Sequence, residues 1–320
     1  MAKPAESTPW TSRVGLGLAG GHGFRVRTFP YRALRAISSR ERFHEVLFCT
    51  ALDRLHELGA GDARTALAVC GNERDALYLQ RHSFDRIVIS GFGDHAAAVE
   101  RVTGGDPRVS YVRENGESLS FASQSFDVVI CKEGLHHLAR PVAGMYEMLR
   151  CCRRAAILIE PFESTLERAL EWLGLATCYE REGLGRRAGR KATRAGGSTC
   201  VAHVSPHINP FERDNYVFRW TRREIETLLN SYYLDSDYRV DMTVGWLSKR
   251  ALADRPMPVR EVVALGGWMA ANVPGLRGNV MTTVILPGKN VPPDAQRARQ
   301  AFATPISPPA HPAETTPAHS

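Results

Sequence analysis

The chain has 320 residues, 43% apolar and 23% charged, the proportions of a globular protein that can bury a core without disulfides or a structural metal. Its net charge of +7 is concentrated, because Arg181 to Arg194 holds six basic residues against Glu182 alone. That local +5 leaves about +2 for the rest, which argues against a nucleic-acid groove spread over the fold.

The seven cysteines include no Cys-x-x-Cys pair, so neither a disulfide framework nor a zinc knuckle is suggested. No apolar run approaches the ~20 residues of a membrane-spanning helix. The short stretch Val14–Gly20, surrounded by Lys3, Glu6 and Arg13, is a poor signal peptide. A reduced, cytoplasmic protein is expected.

Residues 1–39 read as an N-terminal arm, Gly- and Pro-rich over the first thirty positions. From Arg40 to Leu58 the apolar positions Leu47, Ala51, Leu55 and Leu58 recur at helical spacing, and Gly59-Ala60-Gly61 ends the helix. Apolar strands and helical patterns then alternate. The strands fall at Arg64–Val69, Arg86–Ser90, Val109–Val112, Phe126–Cys131 and Ala155–Glu160. Helices fall at Arg74–Arg81, from Asp94 as N-cap to Val102, and at Pro141–Cys152. Such alternation predicts an α/β, doubly wound, mostly parallel sheet.

After Pro161 a helix spaced by Leu166, Leu170 and Leu173 leads into an insertion at about 162–215 that contains the basic run. Order returns over 216–286, where Thr221 and Glu224 form a capping box and Val280–Leu286 makes a last strand. Residues 287–320 hold eight prolines and read as a disordered tail.

Ligands of such a sheet bind beyond the carboxyl ends of its strands. Those ends carry "AVCGNERDA" (68–76), "ISGFGD" (89–94), "RENGESLSF" (113–121), "CKEGLHHL" (131–138) and "EPFE" (160–163). Their order, and above all "ENGESLSFASQSFDVVICKEGLHHL", resembles the class I S-adenosylmethionine-dependent methyltransferases, in the small-molecule, type 11 branch related to ubiquinone-biosynthesis enzymes. The resemblance covers about residues 62–161 and more loosely 216–286. It implies a seven-stranded, Rossmann-like sheet with one reversed strand near the C-terminus, a methyltransferase domain over 40–286 and S-adenosylmethionine as cofactor. The 40–58 helix should cover the cofactor side.

The resemblance places the cofactor across Ala68, Cys70, Gly71 and Glu73, then Ser90 and Gly91, then Asn115, Gly116 and Glu117, with Lys132 at the rim. Several positions depart from the family pattern. Its Gly-x-Gly-x-Gly turn retains only Gly71, the acid of its first strand is Ala68, and Ser120 replaces a proline. Ser90 stands where an acid would hold ribose hydroxyls, and it brings a hydrogen bond without charge. Asn115 can accept from an adenine amino group, or simply make an Asn-Gly turn. His136 and His137 can deprotonate an acceptor hydroxyl or phenol, or can pack and cap the next segment. Lys132 and Glu133 either contact ligand or pair with each other. Asp127 is structural. His203 and His207 are separated by Pro206 and lack a third ligand, so no metal is expected.

The leading reading is methyl transfer to a small-molecule acceptor, possibly anionic, with catalysis chiefly by positioning. A methyltransferase-like scaffold that binds without catalysing is the alternative, motivated by the degenerate turn. RNA methylation, resting on the basic run, is third. The run itself is open between a solvated loop, a lid over an anionic acceptor and a nucleic-acid contact.

Overall fold

A computed structural model describes residues 23–173, 179–180, 215–216, 218–233, 238–247, 256–273 and 275–287. The basic run, His203, His207 and the 288–320 tail lie outside the described residues. The chain begins with β1 (Gly23–Thr28), the short α1 (Tyr31–Arg35) and α2 (Arg40–Glu57). Ser39 caps α2 by accepting from the Arg42 amide at 3.1 Å.

The predicted alternation follows as β2 (Thr65–Val69), α3 (Glu73–Gln80), β3 (Arg86–Gly91), α4 (Ala96–Thr103), β4 (Val109–Arg113), β5 (Phe126–Lys132), α5 (Pro141–Cys151) and β6 (Cys152–Pro161). After α6 (Thr165–Trp172), two-residue strands β7 (Tyr179–Glu180) and β8 (Asn215–Tyr216) pair with each other, apart from the main sheet. The chain closes with α7 (Arg222–Tyr233), β9 (Tyr238–Gly245), α8 (Met257–Ala271) and β10 (Val280–Pro287).

The main sheet has eight strands in the order β1-β9-β10-β6-β5-β2-β3-β4. Only β10 is reversed, antiparallel to both β9 and β6. One strand more is present than the resemblance implied: β1, drawn from the arm, pairs parallel with β9. Its residues alternate between exposed and half-buried, with Phe24 and Val26 turned toward the protein and Arg25 and Arg27 outward, as suits an edge.

The inner strands are apolar on both faces because helices cover both. Ala66 and Ala68 of β2 join one core with α2, α3, α4 and α8, while Leu67 and Val69 join the other with α5 and α7. Asp127 is structural, as expected: its carboxylate accepts from the amides of Arg64 (2.9 Å) and Thr65 (3.0 Å) and pairs with Arg153, tying three neighbouring strands together. Thr221 and Glu224 form the anticipated capping box on α7. Asp94 does not cap α4. His95 occupies that position and makes no side-chain cap bond.

Candidate active site

From β2 the chain winds to β3 and β4 on one side, then crosses back to β5 and β6 on the other. The crevice of a doubly wound sheet opens at that reversal, between the carboxyl ends of β2 and β5. There the expected turns converge.

The β2 turn begins with Cys70 in the left-handed region, φ +54°. A Cβ on Gly71 would lie 3.0 Å from the Ala68 Cβ and 3.1 Å from Ile89, so the protein's own strands require this glycine. The Gly71 amide donates to the Ser90 carbonyl at 2.7 Å, extending the β2–β3 ladder into the turn. Asn72 then caps α3: its side chain accepts from the Arg74 amide (2.9 Å) while Asp75 accepts from the Asn72 amide (3.1 Å). This Asn-x-x-Asp box is a local signal in the sequence.

Ser90 is buried, and its hydroxyl donates to the Ala68 carbonyl at 3.0 Å, within the sheet rather than toward a ribose. Gly91 meets the same turn: a Cβ there would lie 3.0 Å from the Gly71 carbonyl oxygen and 3.1 Å from the Tyr111 hydroxyl. Two carboxylates stand at this edge, the exposed Asp94 just beyond β3 and the half-buried Glu73, the first residue of α3, which lies 3.5 Å from His95. Phe92, just beyond β3, exposes an aromatic surface beneath the Arg113 guanidinium.

Asn115 makes the local turn, its side chain accepting from the Glu117 amide at 3.0 Å. Glu117 is clamped by the Arg140 amide and guanidinium, both at 2.7 Å. Burial pushes its carboxyl up, but the bonds from Arg140 outweigh this and hold it below its ordinary value. Gly116 closes over Cys70, since a Cβ there would be 3.0 Å from the Cys70 sulfur.

Lys132 is no exposed rim cation. It is buried and lies 3.3 Å from the buried carboxylate of Asp75. Burial disfavours its charge, yet Asp75 and Glu133 raise its pKa and keep it protonated. Glu133, whose charge acts on Lys132, also lies 3.2 Å from His44 of α2. Tyr78 also reaches α2, donating to the Glu41 carbonyl at 3.1 Å, and burial with Glu41 and Glu45 pushes its hydroxyl up to about 12. The N-terminal half of α2 thus packs against Glu133, just beyond β5, and against α3.

Beyond Glu133, itself at φ +49°, a 3-10 turn (Leu135–His137) carries the two histidines. Their environments differ. The wholly buried Glu160 carboxylate accepts from the amides of Gly134 (2.8 Å) and Leu135 (2.9 Å) and lies 2.7 Å from His136 Nδ1. His136 is buried by this bond, whereas His137 is exposed beside it, ring centroids 4.1 Å apart. No residue pattern signalled Glu160, since its partners lie on another strand end.

Residues 67–159, under a third of the chain, match the family model described as methyltransferase domain. Over that stretch, which spans β2 to β6, the chain is similar to a methyltransferase domain. No curated protein matches the sequence. Among solved structures it is similar to magnesium protoporphyrin IX methyltransferase of Synechocystis with bound S-adenosylhomocysteine, at 9% identity and TM-score 0.47, covering 77% of this chain and 84% of that one. The YcgJ protein of Bacillus subtilis is 10% identical over 76% of this chain and 99% of its own, TM-score 0.45. An S-adenosylmethionine-dependent methyltransferase of Thermotoga maritima is 11% identical over 81% and 93%, TM-score 0.42. Likenesses this distant do not bear on the acceptor.

Proposed function

We propose that the protein transfers the methyl group of S-adenosylmethionine to a small-molecule acceptor at the crevice between β2 and β5, in a reducing compartment such as the cytoplasm. The supporting observation is the convergence of the Cys70–Glu73 turn, Phe92, the Asn115–Glu117 turn and the His136–His137 turn at one topological reversal. The donor set suits an adenosyl amino acid. Glu73 supplies a carboxylate for hydroxyl or ammonium groups, Phe92 an apolar face for a base, and the 70–73 and 115–117 turns supply backbone groups. Glu73, rather than the inward-turned Ser90, takes the charged role.

When bound, S-adenosylmethionine supplies a methyl group already activated on sulfonium. The chain's part is then mainly to orient the acceptor and exclude water. His136 is held in place by Glu160 and acts as a positioning residue. His137 is exposed at the rim and takes the acceptor's proton where the acceptor must lose one.

A second reading, a scaffold that binds without catalysing, draws on the Ser90–Ala68 bond and the buried Lys132–Asp75 pair, which use inside the protein groups that could have served a ligand. Radiolabelled methyl transfer to a panel of small phenols, amines and carboxylates separates the two. Transfer that falls at least tenfold in His137→Ala supports the proposal. Cofactor binding with no transfer to any acceptor supports the scaffold.

A further inference from the structure

The helix α8 is packed inside out. Toward the protein it turns mostly small residues: Ala264 and Ala271 are buried, Gly267 approaches the Trp246 backbone, where a Cβ would lie 3.2 Å from the carbonyl oxygen, and among the larger ones Val263 packs against the core. Outward it carries Met257, Val259, Val262, Leu265 and Met269, continued by Val273, with Val262 72% and Met269 57% exposed. With Trp268 at the margin, seven of the thirteen large apolar side chains exposed among the described residues belong to this one segment. Isolated exposed apolar residues are ordinary, but a continuous stripe along four helical turns marks a contact surface.

The charges around the stripe are mostly of one sign. Arg32 and Arg35 stand exposed on α1, which packs against α8. The one acid beside them on these two helices, Glu261, is occupied by the Tyr31 hydroxyl and the Arg35 guanidinium, each at 2.7 Å. Tyr31 and Trp268 stand 6.1 Å apart at the margin of the stripe, both amphipathic rings suited to a boundary between water and an apolar phase. Two copies meeting through this face would bring their arginines together. An anionic lipid surface complements both the stripe and its cations.

Position adds to this. The end of β9 and the start of β10 meet at Gly245 and Val280, beside Pro161 at the carboxyl end of β6. The connection that contains α8 therefore leaves and returns at the same end of the sheet as the candidate active site.

We propose that the outer face of α8, with the arginines of α1, docks the protein on an anionic membrane surface. No helix among the described residues is long and apolar enough to cross a membrane, so the contact is peripheral. Because the connection carrying α8 joins the sheet at its active-site end, a methyl acceptor dissolved in lipid would have a short path to the site.

The test is flotation of the full-length protein with vesicles of phosphatidylcholine alone or with 30% phosphatidylglycerol. The wild type should float with the anionic vesicles and weakly with the neutral ones. The double substitution Val262→Glu/Met269→Glu, at exposed positions, should lower partitioning about tenfold or more while circular dichroism and Tm stay unchanged. Arg32→Gln/Arg35→Gln, at exposed positions, should reduce the anionic preference alone. The proposal is overturned if the wild type stays soluble with both vesicles, or if Val262→Glu/Met269→Glu floats as well as the wild type. It is equally overturned if the wild type is a dimer that this substitution dissociates, since the face would then be covered by a second copy. None of these readouts depends on methyl transfer.

Discussion

Glu160 holds the histidine turn, and its removal gives a worked test of how the site is built. Its buried carboxylate satisfies two backbone amides, at Gly134 and Leu135, and the His136 ring nitrogen. Glu160→Ala leaves three donors in a dry interior with nothing to accept them. A buried group stripped of its partner costs about 1–3 kcal/mol, so the substitution should destabilise the protein by about 3–5 kcal/mol. That is a large part of a domain's usual ~5–15 kcal/mol. Glu160→Gln keeps one oxygen for the amides but sets an NH2 against the imidazole, and should cost about half as much. Urea unfolding followed by tryptophan fluorescence measures both, with the m-value showing whether compactness is retained. If Glu160→Ala unfolds within about 0.5 kcal/mol of wild type, below the cost of even one stranded donor, the carboxylate does not carry the turn.

Asp127 gives a pH signature. Burial pushes its carboxyl up, but bonds from Arg153 and from the Arg64 and Thr65 amides outweigh this and hold it below 3.8. Because the folded value lies below the unfolded one, this stabilisation is complete above about pH 4 and is lost as pH falls through the folded value. Asp127→Asn should therefore be less stable at pH 7 and show a shallower loss between pH 5 and 2 in thermal melts. Ser90→Asp, which a ribose-facing strand end would welcome, should instead lower Tm, because the new carboxylate would face the Ala68 carbonyl in a buried position. Cys151 and Cys152, their thiols pushed up to about 12 by burial, should resist a disulfide reagent at pH 8 in the native protein while exposed Cys49 reacts, as peptide mapping would show.

The central sheet was legible in the sequence because β2, β5 and β6 are buried on both faces and read as unbroken apolar runs. Thr221 and Glu224 were legible because a capping box is local. Other elements lack such signals. The edge strand β1 alternates arginine with half-buried residues inside a Gly- and Pro-rich arm. In α8 most large apolar residues face outward while alanines and a glycine face inward, which inverts the pattern that marks a helix. At the site, the convergence of the turns followed from the topology. The fate of individual groups did not, since Ser90 is bonded to Ala68 on the neighbouring strand and Lys132 is paired with Asp75 across 57 positions. Those partners are set by register and packing, which no local spacing encodes.

The most direct test of the account is titration calorimetry with S-adenosylmethionine and S-adenosylhomocysteine on the wild type and on Glu73→Gln. The account predicts saturable one-to-one binding of both ligands to the wild type. Binding should weaken about tenfold in Glu73→Gln, the loss of one charge-assisted hydrogen bond, with Tm unchanged. The absence of heat or of competition with either ligand would contradict it, and equal affinity in the two proteins would remove Glu73 from the site.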